Sequence, residues 1–408
     1  MGADASQELT TEVIIVGGGP AGLTMACALA TAGVPTVCID RDPPEKQSAD
    51  TFDYRTTAIA YGAERVLEGA GIWKHLESRA AKILDIRVVD GGSPFFLHYD
   101  HRDAGAHFGT VAENRDIRLA CFNRVKELPG LTHLTPATVA SLTRGRSGVT
   151  VNLTDGRVVK GRLIIGADGR KSPCREDAGI KLISWRYGQT AIICNIAHSR
   201  PHHGLAVERF LPSGPFALLP LTGDRTSIVW SEREDRVAAY MTLPEDEFVA
   251  EIRRRAGGHL GDIRLDSPRD AWPLSVLLAE RFVDERLALI GEAAHAIHPV
   301  AGQGLNLSFR DIAALAEVIV DTWRLGLDIG SPEVLARYQR WRRFDTLTLL
   351  AVCDSLVRLF SNDIPPLRLA RDLGMAAINR VPPLKKVFMR HAMGLVGDLP
   401  RMIKGEAL

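Results

Sequence analysis

The chain has 408 residues, of which 46 % are hydrophobic and 24 % charged, and its formal net charge is +1. That length exceeds one ordinary core and implies two or three domains. The composition is that of a soluble globular protein, and the near-zero charge gives no global field to hold nucleic acid.

The N-terminal MGADASQELT lacks a basic stretch followed by an apolar one and does not read as a secretory signal. It fits the short acylation pattern M-G-x-x-x-[ST] through Gly2 and Ser6. No uninterrupted apolar run approaches the ~18 residues of a membrane span. The six cysteines, Cys27, Cys38, Cys121, Cys174, Cys194 and Cys353, form no C-x-x-C pair and several sit in apolar runs. They are expected as reduced, buried thiols in a reducing compartment.

EVIIV, Glu12 to Val16, reads as a buried parallel strand. Gly17-Gly18-Gly19-Pro20-Ala21-Gly22 follows, then a small-residue helical stretch ending at Gly33, then the strand PTVCID ending at Asp40. This is a β-α-β unit with G-x-G-x-x-G at its first turn. Gly17 allows the tight turn, Gly19 lets a phosphate approach the backbone, and Gly22 lets helix and strand pack closely. The helix N-terminus offers free N–H groups to a pyrophosphate. Asp40 stands where a carboxylate accepts from an adenosine ribose, which favours FAD or NAD over NADP.

In HYDHRDAGAH, His98, His101 and His107 have loose metal-like spacing but read as an exposed polar loop. RLIIGADGRKSPCR, Arg162 to Arg175, is an apolar strand running into Gly166-Ala167-Asp168-Gly169 and a polar stretch. Short alternating strands follow between 178 and 275, with Phe216-Ala217-Leu218-Leu219-Pro220 expected to face a ligand. No second G-x-G-x-x-G appears, so no separate nicotinamide domain is expected.

RLALIG then leads into GEAAHAIHPV, where Glu292, His295 and His298 lie three residues apart. A metal site on one helical face needs a helix through them, yet Pro299 biases His298 away from it. Gly302 and Gly304 follow, and the apolar repeat Ile312, Leu315, Ala316, Ile319 starts a helix near Gly304. No second Glu-x-x-His exists for a di-iron bundle, and no metal is expected. Strand, glycine-rich loop and helix N-terminus instead suit an anionic ligand such as the pyrimidine edge of a reduced flavin.

Together these patches resemble the group A flavoprotein aromatic hydroxylases, the p-hydroxybenzoate hydroxylase family, with matching order over roughly residues 10 to 325. Within that family DYRTTAIAYGAERVLEGAGIW, ERFLPSGPFALLPL and HPVAGQGLNLSFRDIAAL are most similar to the ubiquinone-biosynthesis hydroxylases. The resemblance implies an α/β fold: a Rossmann-like FAD-binding domain of p-hydroxybenzoate hydroxylase type, an inserted, mostly antiparallel substrate sheet, and a helical C-terminal region. The FAD-binding domain is expected over 10–80, 105–177 and 280–325, the substrate sheet over 81–104 and 178–279, and the helical region over 326–408.

The resemblance also assigns roles. Gly17, Gly19 and Gly22 cradle pyrophosphate and Asp40 holds ribose. Arg55 contacts pyrophosphate or the incoming nicotinamide, and Asn114 reaches the ribityl or phosphate region. Asp168 and Gly169 order the loop beside them, and Glu292, where the family usually has Asp, accepts from a ribityl hydroxyl. Pro299 sits over the reactive flavin face, and the N–H groups of Gly304, Leu305 and Asn306 face the pyrimidine edge. Ser308 stands where the family often has Gly. His298 and His295 are candidates for polarising a substrate hydroxyl, although His295 reads first as a residue holding the loop.

The implied activity is FAD-dependent monooxygenation of an aromatic ring on a prenylated phenol in ubiquinone biosynthesis. O2 is the co-substrate, and electrons come from NADPH, NADH or an unidentified reductase. Alternatives are a hydroxylase of a small aromatic acid, a flavin-binding scaffold in a biosynthetic complex, and a flavin reductase of prenyl double bonds. The ring carbon, other quinone-biosynthesis partners and a homodimer stay open. A cytoplasmic location is expected, with contact at the inner membrane face through Leu367, Arg368, Leu369, Arg371, Lys385, Lys386, Val387, Phe388, Met389 and Arg390.

Overall fold

The structure, a computed structural model, describes residues 8–49, 51–91, 93, 96–360, 371, 374 and 377–408. Gly2, Ser6, Leu367, Arg368 and Leu369 lie outside the described residues.

The N-terminal apolar strand Val13–Val16 is buried along its whole length. It is a middle strand of a six-stranded sheet whose order is Val283–Asp284, Leu287–Leu289, Leu163–Gly166, Val13–Val16, Thr36–Ile39, Leu131–Leu134. All neighbours are parallel except the first pair. Burial on both faces explains why these strands are unbroken Val, Ile and Leu runs. The helix Pro20–Thr31 crosses between two of them, and Leu23 to Leu29 are all buried.

Adjacent parallel strands end on one edge. Gly166 lies opposite both Val16 and Leu289, so three segments distant in sequence leave the sheet side by side. They are the Gly17 turn, the Ala167 turn and the loop from Ile290. Open parallel sheets bind ligands at this edge.

A second sheet has nine strands. It includes Asp270–Ala279, Leu182–His198, Arg225–Arg233, Gly214–Leu221, Leu205–Leu211, Asp85–Asp90 and Phe96–Asp100, and its pairs are antiparallel except Leu205–Leu211 with Asp85–Asp90. The segment TAIICNIA is not a short strand: it is the second half of Leu182–His198, a strand of 17 residues. Ala81–Ile83 joins a separate three-stranded sheet with Thr56–Ala60 and Gly109–Glu113.

The two faces of the large sheet differ. Val207, Phe216, Leu218, Ile228, Trp230 and Ile192 pack on the outer face against Phe248 and Ile252 of the helix Glu245–Ala256. Phe216 therefore meets Trp230 edge-on at 6.3 Å and is closed off by helix. This corrects the expectation that Phe216 to Pro220 all face a ligand: strand alternation sends Phe216 and Leu218 outward and leaves Ala217 and Leu219 on the inner face.

The helices Gly304–Arg324 and Pro332–Phe360 cover the molecule's centre. The C-terminal Met393, Met402 and Ile403 are buried in the same core as the parallel sheet. All six cysteines are buried and unpaired. Among the described residues no helix is long and apolar enough to cross a membrane.

Candidate functional site

The glycine turn has three different steric situations. Gly17 has φ +107°, and a Cβ there would lie 2.3 Å from the Ala167 carbonyl oxygen. A Cβ on Gly22 would lie 1.8 Å from the Gly17 oxygen, so turn and helix touch. A Cβ on Gly19 would meet nothing within 4 Å. Gly19 thus borders open space at the N-terminus of Pro20–Thr31, where helix N–H groups and the dipole favour an anion. Asp40 accepts from Gly18 N–H, and also from Asp42 N–H at 2.7 Å. It fixes the turn.

The other motifs converge on this edge. A Cβ on Gly291 would sit 3.4 Å from the Ala21 Cβ and 3.2 Å from Ser308 Oγ. Asp168 accepts from Cys174 N–H at 2.9 Å, and Gly169 takes φ +81°. Arg175, which the sequence reading left without a role, donates to the carbonyls of Ala293 at 3.0 Å and Arg170 at 2.8 Å. It braces the mid-chain loop against the decapeptide.

Glu292 is exposed, and its side chain lies 3.5 Å from Arg170. His295 is buried and donates from Nε2 to Asp311 at 2.5 Å. His298 is buried elsewhere: Val300 N–H donates to its Nδ1 at 3.1 Å, and its Nε2 faces Gln189 Oε1 at 3.3 Å. Glu292, His295 and His298 therefore turn to three different partners. His98, His101 and His107 likewise separate, to Asp85, the Leu84 carbonyl and Glu64.

Burial pushes the His298 pKa down to about 4, so the ring is neutral near pH 7. With Nδ1 accepting, Nε2 carries the proton and donates to Gln189, and the ring meets Tyr187 edge-on at 5.1 Å. Pro299 begins the short turn Val300–Gly302 that leads into Gly304–Arg324. Asn306 spends its side chain on the scaffold: Oδ1 accepts from Ala60 N–H at 2.8 Å, and Nδ2 donates to Ala58 O at 2.7 Å and Gly302 O at 2.8 Å. Gly304 borders open space, leaving the backbone N–H groups of Gly304, Leu305 and Asn306 as the helix's outward donors.

Arg55 and Asn114 belong to a second centre whose other members, Asp53 and Arg118, the sequence did not single out. Asp53 is buried, and three residues converge on it: Arg55 through Nε at 2.8 Å and Nη2 at 2.9 Å, Asn114 at 3.0 Å and Arg118 at 2.9 Å. Burial alone would raise its pKa, but the hydrogen bonds and charge of Arg55, with Asn114 and Arg118, hold it well below the usual carboxylate range. Among the described residues, Arg118 Nε and Nη1 are buried without a hydrogen-bond partner. Arg55 also lies 4.3 Å over the Trp272 ring.

Trp272 belongs to the inner face of the large sheet. Ala191, Ile193 and Leu274, with Val229, form a small apolar cluster separate from both larger ones. Ser227 on this face receives Thr56 Oγ1 at 2.8 Å, and Gln189 reaches His298. The sheet's inner face thus looks onto the decapeptide and the Asp53 centre. The open position at Gly19, the helix N-termini and the unpaired Arg118 donors fit a dinucleotide with an anionic pyrophosphate.

Comparison with known proteins agrees with this geometry. Residues 10–344 match the family model described as FAD binding domain. The chain is 50 % identical over 406 residues to a Rhodospirillum rubrum protein named ubiquinone hydroxylase UbiL, covering 99 % of this chain and 95 % of the relative. It is 32 % identical over 389 residues to 3-demethoxyubiquinol 3-hydroxylase of Escherichia coli, covering 94 % and 99 %. The crystal structure of p-nitrophenol 4-monooxygenase PnpA from Pseudomonas putida shares the fold with TM-score 0.78 at 20 % identity, covering 96 % of this chain and 99 % of that one.

Gly19→Val fits the unliganded turn but fills the space a phosphate needs. Its expected melting temperature is unchanged, while flavin affinity falls at least about a hundredfold, ~3 kcal/mol, by fluorescence titration. His298 binds its proton less readily in the fold than when unfolded. Stability therefore declines as pH drops from 6.5 towards 4 and is unaffected by this group above 6.5. His298→Asn should flatten that part of a denaturation-against-pH profile.

Proposed function

We propose that this chain, which belongs to the FAD-binding-domain family and is an FAD-dependent aromatic-ring monooxygenase, hydroxylates a prenylated phenol in ubiquinone biosynthesis. The reading is carried by the full-length similarity to the Rhodospirillum rubrum hydroxylase. The apolar inner sheet face opposite the decapeptide adds the setting that a largely hydrocarbon substrate needs.

When bound, FAD would supply the redox chemistry, with electrons from NADPH, NADH or a separate reductase and O2 as co-substrate. The chain's residues do the rest. The Gly17–Gly22 turn and the helix after it receive the pyrophosphate, and Asp40 receives the adenosine ribose. Arg55 and Asn114, locked by Asp53, face the phosphate and ribityl region, with Asp168, Gly169 and Glu292 on its other side. The N–H groups of Gly304, Leu305 and Asn306 face the pyrimidine edge, where they stabilise negative charge. Pro299 lies beside the reactive face.

His298 holds the loop through Val300 and Gln189, and His295 holds it through Asp311. Both act as positioning residues. Excluding water from this region would keep reduced cofactor and substrate from wasteful side reactions.

The purified holoenzyme, given NADH or NADPH, a prenylphenol and isotopically labelled O2, should incorporate one labelled oxygen atom into the ring. Cofactor oxidation with no labelled product, or faster turnover of a small aromatic acid, would overturn this assignment.

The substrate's tail partitions into a bilayer, and the helix Pro382–Ala392 supports a membrane-facing role. Leu384, Val387 and Phe388 are exposed on it, with Val381 just before it and Lys386 and Arg390 alongside. Met389 is buried, so it belongs to the core and not to this face. Lys385 pairs with Asp103 at 3.1 Å. Val387→Asp with Phe388→Asp should shift the protein from pellet to supernatant in sedimentation with anionic vesicles at low salt. Equal sedimentation of variant and parent would remove this helix from the docking surface.

A further inference from the structure

We propose that Glu208 binds the ring hydroxyl of the phenolic substrate, its carboxylate accepting that hydroxyl and orienting the ring for hydroxylation. The inference rests on the function proposed above and names a residue of that site.

Glu208 lies on Leu205–Leu211, whose neighbouring residue Val207 points into the outer apolar cluster. Alternation places Glu208 on the inner face. Its cross-strand partner is Ala217, whose partner is Val229, whose partner is Ile193. Val229 and Ile193 belong to the small separate cluster. With strands about 4.8 Å apart, a glutamate arm reaches over the Ala217 methyl towards that cluster. The rows on either side carry contacts to the flavin side: Ser227 with Thr56, and Trp272 beneath Arg55.

Glu208 is half-buried, with Val88 and Ala217 as its cross-strand neighbours on the two sides. No described residue gives it a hydrogen bond or ion pair, although an unpaired carboxylate among apolar groups is costly. Burial pushes its pKa up to about 7.

The charged groups around it are committed elsewhere. On the neighbouring strand Asp90 is paired with Arg371. Along the helix Pro332–Phe360, Asp354 takes Tyr187 and Arg358. Arg225 is held by Glu113 and Asp266, and Arg55 by Asp53. Tyr99 and His298 are uncharged near pH 7. Arg87 and Arg209 flank Glu208 in register positions on the opposite face. A phenol is a donor of the right kind for the remaining carboxylate.

As the proton passes, the phenol O–H bond breaks and a carboxyl O–H bond forms. The freed oxygen lone pair enriches the ring, and Glu208 returns the proton to that same oxygen once the ring is hydroxylated, restoring the carboxylate before product leaves. Such enrichment favours attack of the ring on an electrophilic oxygen.

The probe is a phenol with a farnesyl chain beside its hydroxyl, followed through perturbation of the bound flavin's absorbance, with its methyl ether as control. The parent holoenzyme should bind the phenol roughly five- to tenfold more tightly at about pH 8 than at about pH 6. Glu208→Gln should retain FAD and its melting temperature, lose the pH dependence, and bind about tenfold more weakly at the higher pH. Glu208→Asp should keep the pH dependence with weaker binding. The methyl ether should bind without pH dependence to parent and variants. An unchanged pH profile in Glu208→Gln, or none in the parent, overturns the role of Glu208 while leaving the hydroxylase assignment standing. Failure of the parent to bind either probe overturns both.

Discussion

At the centre of the molecule the buried Asp311 carboxylate accepts from His295, from Arg342 Nε at 2.9 Å and from Gly291 N–H at 3.2 Å. Burial alone would raise its pKa, but His295 and Arg342 hold it below the usual range. The three partners come from the decapeptide and from Pro332–Phe360, and Asp311 itself lies on Gly304–Arg324. One ion cluster therefore fixes where the loop leaves the parallel sheet and how the next helix points its N-terminus. Removing one member would strand a buried charge, a loss of the order of 3–5 kcal/mol. Tyr338 adds a bond to the Leu289 carbonyl at 2.8 Å, anchoring the same helix to the strand before the loop.

The cofactor edge depends on that fixation because it is assembled from backbone more than from side chains. Gly17 against Ala167, Gly22 against Gly17, and Gly291 against Ala21 and Ser308 are contacts that small residues alone permit. Arg175 and Asn306 then serve as ties between segments, saturating carbonyls that the irregular loops leave open. Ser308 fits because its Oγ turns back towards the Gly304 carbonyl at 3.4 Å.

The large sheet divides labour by face. Its outer face is a closed core around Trp230, stacked also by Arg255 at 3.9 Å. Its inner face is shorter in side chains and carries polar exceptions, Gln189, Ser227, Ser231 and Glu208, amid Ala191, Ala217, Val229 and Ile193. A surface of that kind suits a substrate that is apolar over most of its length and polar at one ring position.

The sequence by itself determined the β-α-β unit, the G-A-D-G turn and the helix start at Gly304, because each rests on local chemistry: apolar runs, glycine at tight turns and a proline that interrupts a helix. It also determined the separation of Glu292, His295 and His298 from a common helical face. Tertiary structure alone decided the partners. Asp53 is unremarkable in its own neighbourhood, and only the fold brings Asn114 and Arg118 to it. The roles of Arg175, Asn306 and Asp311 likewise come from residues far along the chain. Which of Phe216 and Ala217 faces inward was undecidable locally, since a strand buried on both faces shows no polar alternation to set its phase. For the same reason Glu208 looked like one charge in an apolar strand until its cross-strand neighbours were known.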